Sequence, residues 1–232
     1  MNQLTLIRKI DNFLAPIYIK CPLIYYGIIT RAIGKNGRKL LDVGCGDGSL
    51  AKALNLNKNF KLTGVDIFEQ YLKKARKTGL YEKLIKADVR NLPFKEEKFD
   101  VVFCAHLIEH LTRKEGFKLI KRLESLARKK VVIASPVGFL PQDEYNGNPF
   151  QKHKSVWWSE DFKTRGYKVV GQGLRLIYGQ QNVVERLGLL SYLFSLVSLA
   201  YQPLLFLNPN LGVYIICWKE MGVPSDMDGR VL

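Results

Sequence analysis

The chain has 232 residues, 47% of them hydrophobic, which suits one domain with a sizeable core and excludes a disordered polymer. Its formal net charge is +15, which points to an anionic membrane surface or a nucleic acid, and is equally the charge of an ordinary basic soluble protein. Cys21, Cys45, Cys104 and Cys217 are scattered without paired spacing, so a disulfide scaffold is excluded; with three histidines and no Cys-x-x-Cys pair, no metal site is expected.

Residues 1–38 mix apolar and basic side chains and are expected to form a helical cover. Leu4, Ile7, Phe13 and Leu14 can share one helical face, and Pro16 and Pro22 interrupt it. The face suits packing, cofactor cover or a membrane surface. The charged start lacks a small-residue cleavage site, so it is not read as a secretory signal, and the expected location is the cytoplasm, with peripheral membrane contact left open.

The stretch from Lys39 to Leu54, KLLDVGCGDGSLAKAL, organises the rest. Leu40, Leu41 and Val43 predict a buried strand. Gly44, Gly46 and Gly48 predict a tight turn, and Ser49 is expected to cap a helix starting at Leu50. Glycines admit positive φ and let a ligand approach the backbone, and a helix N-terminus aims N–H groups at the same place. Asp42 before the turn repels a pyrophosphate and favours a cation. Asp66 ends the next apolar run, Lys61–Asp66, where an acid can hold ribose hydroxyls. The turn lacks the Gly-Lys-Ser/Thr ending of a phosphate loop. Acid, glycines and acid together suit a ligand with ribose, adenine and a positive centre but no phosphate.

Further elements follow in order. Phe68–Thr78 predicts a helix with Tyr71, Leu72 and Ala75 inward. Leu84–Ala87 predicts a short third strand ending at Asp88. Phe99–Cys104 is a nearly continuous apolar run, as a central strand buried on both faces requires. His106-x-x-Glu109-His110 matches the pattern of one class of zinc peptidases, but it follows a strand directly, without the long helix that reading needs. Thr112 with Glu115 predicts a capping box for a helix over 115–128. A fifth strand is expected over Lys130–Ser135. The polar, Gly/Pro-rich stretch 137–154 is long for a compact domain, which points to function, with Tyr145, His153 and Trp157 as candidate substrate contacts. Ser159 begins a short helix that Gly166 ends, and Tyr167–Ile177 predicts strand six. Residues 187–218 contain no charged side chain. They are long enough to include a membrane span, but a span would carry the final strand, 212–219, across the bilayer. Residues 180–210 are therefore read as one or two apolar helices packing on the core, on a second copy of the chain, or on a membrane leaflet.

The order DVGCGDG, GVD, KADVRNLPF and FDVVFCAHLIEHL resembles the class I S-adenosylmethionine-dependent methyltransferases, and more narrowly their small-molecule and lipid-modifying branch. The resemblance covers roughly residues 39–177 and the last strand. It implies an α/β, Rossmann-like fold: a seven-stranded, mostly parallel sheet with helices on both faces, an antiparallel last strand, and an apolar helical insertion between strands six and seven. The implied division of a single domain is 1–38 cover, 39–178 core, 179–211 insertion, 212–220 last strand and 221–232 tail. It implies S-adenosyl-L-methionine as cofactor, held by Asp42, Gly44, Cys45, Gly46, Gly48, Asp66, Ile67, Asp88, Val89, Cys104 and Ala105. In such a family Asp88 accepts the adenine amine, Val89 packs the ring, and the acid at Asp100 and the Glu109–His110 pair are recurrent features.

The implied reaction moves a methyl group to a small-molecule or lipid-linked acceptor. A base is required only for a hydroxyl or acidic carbon, and His106 and His153 are the candidate catalytic imidazoles. Two alternatives stay open: an RNA methyltransferase, and a non-catalytic, membrane-associated binding protein on the same scaffold. Nucleic acid is disfavoured because no Asn/Asp-Pro-Pro-Tyr-type motif follows strand four and no RNA-binding module is appended. The expected partners are a small-molecule or lipid substrate, a membrane surface, and a second copy of the chain.

Overall fold

The computed structural model describes residues 21, 23–35, 37–144, 147–175 and 197–222. The expected amphipathic face in the first 20 residues, Tyr145, most of the apolar insertion and the tail beyond residue 222 lie outside them. Seven strands form one sheet: β1 Lys39–Val43, β2 Lys61–Asp66, β3 Tyr81–Lys86, β4 Phe99–Ala105, β5 Ala127–Pro136, β6 Lys168–Leu174 and β7 Gly212–Glu220. Their spatial order is β3-β2-β1-β4-β5-β7-β6. β1 pairs parallel with β2 and β4, and β7 runs antiparallel between β5 and β6. This is the expected fold class, with the last strand antiparallel as anticipated.

Alternation along β4 explains why its sequence is apolar throughout. Val102 and Cys104 face one core, with Leu119, Ile120 and Leu123 of helix α4 (Arg113–Leu126). Val101, Phe103 and Ala105 face a second core, with Ile28, Ile29, Ala32 and Ile33 of helix α1 (Tyr25–Ile33). Both sheet faces are covered, so successive side chains are buried whichever way they point. Asp100 is the exception in the run. Its carboxylate accepts the Arg38 and Lys39 N–H groups at 2.8 and 3.0 Å and the Arg128 guanidinium at 2.7 Å. Burial raises the Asp100 pKa, but these donors outweigh it and hold the carboxyl below its ordinary value. Asp100 thus ties together the entries to β1 and β5.

Helix α2 (Ser49–Ala53) starts one residue before the expected position. Gly48, at φ +81°, takes the capping position with no side chain to offer, and the Ser49 N–H bonds instead to Asp47 Oδ1 at 3.0 Å. The left-handed exit from the glycine turn leaves Asp47, not Ser49, as the acceptor. Helix α3 (Glu69–Thr78) buries Leu72 and Ala75 as expected. β3 begins earlier than the apolar run suggests because it is an edge strand: Tyr81 and Lys83 pair with Leu62 and Thr63, on either side of a bulge at Glu82, without needing full burial. α4 lies two residues N-terminal to its expected span, and β5 is longer than expected at both ends: Ala127 leaves the helix to pair with Phe99.

Trp157 is not a substrate contact. It is fully buried, its indole N–H donates to Ser155 Oγ at 2.9 Å, and its ring packs on Phe117 and Phe162. Helix α5 (Ser159–Lys163) follows it, pinned by the Arg113–Asp161 ion pair. Of the insertion, the described part includes helix α6 (Gln202–Leu207), which packs on β6 and donates from Gln202 Nε2 to the Gly171 carbonyl at 2.6 Å. No helix among the described residues is long and apolar enough to cross a membrane.

Candidate active site

The strand order reverses direction between β1 and β4, and open α/β sheets bind ligands outside the carboxyl ends of strands at that place. A cleft of about 830 Å³ of atom-free space opens there, counting its mouth. Its walls come from the glycine turn, the end of β2, the residues after β3 and β4, and the loop that follows β5.

The glycine turn is set by three backbone bonds. The N–H groups of Gly44 and Cys45 both donate to the Val65 carbonyl, at 2.8 and 3.0 Å, and the Gly46 N–H donates to Asp66 Oδ2 at 2.9 Å. Gly46 lies at φ +55°, and a Cβ there would meet nothing closer than Tyr71, 4.0 Å away. The open space beside Gly46 belongs to the cleft, so this glycine serves both conformation and access. Asp66 is fixed at both oxygens, because Oδ1 accepts the Phe68 N–H at 2.8 Å. Burial pushes its carboxyl up, and the N–H groups of Phe68, Gly46 and Ile67 pull it back in part. A carboxylate has more acceptor sites than these donors fill, so it can still accept from a hydroxyl.

Of the eleven cofactor contacts expected, Gly44, Gly46, Asp66, Ile67, Asp88 and Val89 line the cleft. Asp42 does not. Its carboxylate is buried beneath the turn, where Tyr81 donates its hydroxyl at 2.7 Å, and burial pushes its pKa up to about 7, with Asp66 adding repulsion. It can act on a ligand through its field rather than by touching it. Cys45, Gly48, Cys104 and Ala105 also stand behind the lining; Cys45 and Cys104 are buried, and burial pushes both thiols up.

Asp88 presents its carboxylate to the cleft, but with a partner that the sequence pattern did not indicate. Arg90 Nε lies 2.9 Å from both Asp88 oxygens, and Arg90 also reaches Glu115 at 3.2 Å. The guanidinium holds Asp88 below the usual carboxylate range. Leu107 and Leu111 after β4, and Asn148, Phe150 and Lys154 from the post-β5 loop, complete the walls. None of these was singled out as a contact, because the lining of a cleft by loop residues depends on how the loop folds. That fold is specific: the Lys154 and Ser155 N–H groups both donate to the Glu109 carbonyl, and Asn148 Oδ1 accepts the Phe150 N–H.

His106 reaches the cleft, on a backbone at φ +51°. Its Nε2 lies 2.5 Å from the Tyr25 hydroxyl and its Nδ1 lies 3.6 Å from Glu109. His153 does not line the cleft; its ring lies beside that of His110, with centroids 4.9 Å apart and the planes tilted by 60°. The His-x-x-Glu-His run falls on a single 3-10 turn, Ile108–His110, and not on the long helix of a zinc peptidase. Burial lowers the His110 pKa, which keeps that ring neutral near pH 7.

Residues 41–132 match the family described as a methyltransferase domain. Over 133 residues the chain is 32% identical to an uncharacterised protein of Methanocaldococcus jannaschii, covering 56% of this chain and 55% of that one. Over 140 residues it is 31% identical to the ubiquinone biosynthesis O-methyltransferase of Bordetella bronchiseptica, covering 58% and 54%. The chain thus spans about half the length of the curated relatives it matches. Among solved structures, a SAM-dependent methyltransferase from Archaeoglobus fulgidus shares the fold, with a TM-score of 0.53 at 18% identity over 94% of both chains. Residues 41–132 are thus similar to a methyltransferase domain, set in a seven-stranded sheet with the fold of the Archaeoglobus SAM-dependent methyltransferase.

Proposed function

We propose that the protein transfers a methyl group from S-adenosylmethionine to a small-molecule acceptor of hydrophobic or lipid-linked character. The observation that carries this reading is the pairing of the pinned Asp66 carboxylate with the open flank of Gly46 in one cleft. Asp66 would accept the two ribose hydroxyls. Asp88 would accept the adenine amine with its remaining lone pairs, and Val89 and Leu111 give that ring apolar surface. The Gly44–Gly46 turn would receive the amino-acid end, with the buried Asp42 charge beneath it. The bound sulfonium supplies an electrophilic methyl group, so the protein's work is to align the acceptor and exclude water. His106, on the cleft wall, would be the imidazole that takes a proton from a hydroxyl acceptor.

Three features support the hydrophobic acceptor: the apolar wall formed by Leu107 and Phe150, the ubiquinone O-methyltransferase relatives, and the exposed Leu204, Phe206 and Leu207 on α6. Calorimetric titration of the full chain with S-adenosylmethionine tests the reading. Binding in the micromolar range is expected. Asp66→Ala removes two hydrogen bonds to a charged group, each of about 1.5–3 kcal/mol, so affinity drops by at least ~100-fold. Absence of binding by the unaltered protein, or full affinity in Asp66→Ala, overturns it.

A further inference from the structure

The three histidines of the chain are separated by up to 47 positions, yet all of them gather around Glu109. Glu109 is 2% exposed. Its Oε2 accepts the Ser135 hydroxyl at 3.4 Å, while Oε1 is buried without a hydrogen-bond partner among the described residues. His106 Nδ1, at 3.6 Å from that oxygen, is beyond hydrogen-bond length. A buried carboxylate oxygen left without a donor is costly, and a cation is the other way to satisfy it.

The neighbouring imidazoles are prepared in the matching sense. His110 Nδ1 lies 3.3 Å from the Lys152 carbonyl, and His153 Nδ1 lies 2.5 Å from the Leu140 carbonyl. A carbonyl oxygen only accepts, so each Nδ1 carries the proton and each Nε2 keeps a bare lone pair. A ring nitrogen pinned by a backbone carbonyl, with the other nitrogen free, is the arrangement that orients metal-ligating histidines. One donor atom from each of Glu109, His110 and His153 lies within 4.8 Å of the others.

We infer that Glu109, His110 and His153 form a binding site for a divalent transition metal, with Zn²⁺ the ion that two imidazoles and one carboxylate suit. Tetrahedral ligands at about 2.0–2.1 Å from zinc stand roughly 3.3–3.4 Å apart, so the donors must close by about 1.5 Å. Glu109 and His110 are adjacent on one turn, so the closing would fall to His153, carried by the loop after β5. Three protein ligands leave one position open, and His110, the one of the three that lines the cleft, is the side from which an acceptor would reach it. This catalytic consequence rests on the methyl-transfer reading; ion binding does not. A hydroxyl bound to the metal would release its proton to His106 or solvent. Its oxygen would then form the O–C bond as the S–C bond breaks, leaving a neutral thioether.

The test uses the full chain, stripped with chelator and titrated with Zn²⁺ by calorimetry and with Co²⁺ by visible absorption. One equivalent is expected, with a dissociation constant below about 1 μM and tetrahedral d–d bands that lack a thiolate charge-transfer band. His153→Gln and His110→Gln should each weaken uptake by at least ~100-fold while keeping the circular dichroism of the fold. No saturable uptake, a thiolate band, or uptake by either variant as tight as the parent's overturns the site. S-adenosylmethionine titration of the same sample separates the two readings. Cofactor binding without metal sinks this site alone, and metal binding without cofactor sinks methyl transfer alone.

Discussion

Asp42 shows how one side chain can serve a ligand at the expense of the fold. It is buried, bonded only to Tyr81 among the described side chains, and its pKa is pushed up to about 7 from 3.8. A raised carboxyl keeps its proton in the native state over a range where the unfolded chain has released it. Stability is therefore full below about pH 4 and falls as pH rises towards 7, by roughly 4 kcal/mol for a three-unit shift. Asp42→Asn keeps an acceptor for Tyr81 and removes the charge. Differential scanning calorimetry should show a higher Tm for the variant at pH 8, by about 5 °C or more, and equal values at pH 4. The same variant should bind S-adenosylmethionine more weakly, because a cation loses a negative neighbour. A variant no more stable than the parent at pH 8 would refute this account of Asp42. Gly116 makes the converse point: a Cβ there would collide with the Trp157 ring, so close packing explains a glycine inside a helix.

At the level of elements, α4 is specified most locally. Thr112 Oγ1 accepts the Glu115 N–H, and Glu115 Oε2 accepts the Thr112 N–H at 3.0 Å, which satisfies two free donors at once. Thr112→Ala should lower unfolding stability by about 1 kcal/mol in a urea titration, with an unchanged m-value. A change below a few tenths would mean that α4 is held by its packing on β4 and β5 alone. The long loop after β5 behaves differently. Its course is fixed by bonds to another element, chiefly the Glu109 carbonyl, and by Trp157 inserted into the core. That is why its length signalled function while its aromatic residues misled: Trp157 turned inward, and Phe150 reached the cleft instead.

For the whole molecule, the +15 charge and the exposed apolar residues Tyr201, Leu204, Phe206, Leu207 and Leu211 bear on the proposed membrane contact. Leu207 is 82% exposed. Apolar side chains that enter the interface, backed by basic charge, bind anionic bilayers in a salt-dependent way. The full chain should sediment with vesicles containing phosphatidylglycerol, stay soluble with pure phosphatidylcholine, and be released by raised salt. Equal partition between the two vesicle types rejects the contact, and tight, salt-steep binding to RNA would favour the nucleic-acid alternative.

Residue pattern alone determined β1, the glycine turn, β2 with Asp66 at its end, the buried β4 and the α4 cap, and through them the fold. Each of these is encoded within a few positions, by strand alternation, positive-φ glycines or a capping pair, so no distant partner is needed to read it. Tertiary structure alone decided which carboxylates face the cleft. Asp42 and Asp66 look alike in sequence, but Tyr81 from the edge strand covers one while Gly46 opens beside the other. It alone also brought His153 beside Glu109 and His110, joined Arg90 to Glu115, and turned Trp157 into the core. Those meetings depend on chain crossings across tens of residues, and local propensity carries no information about them.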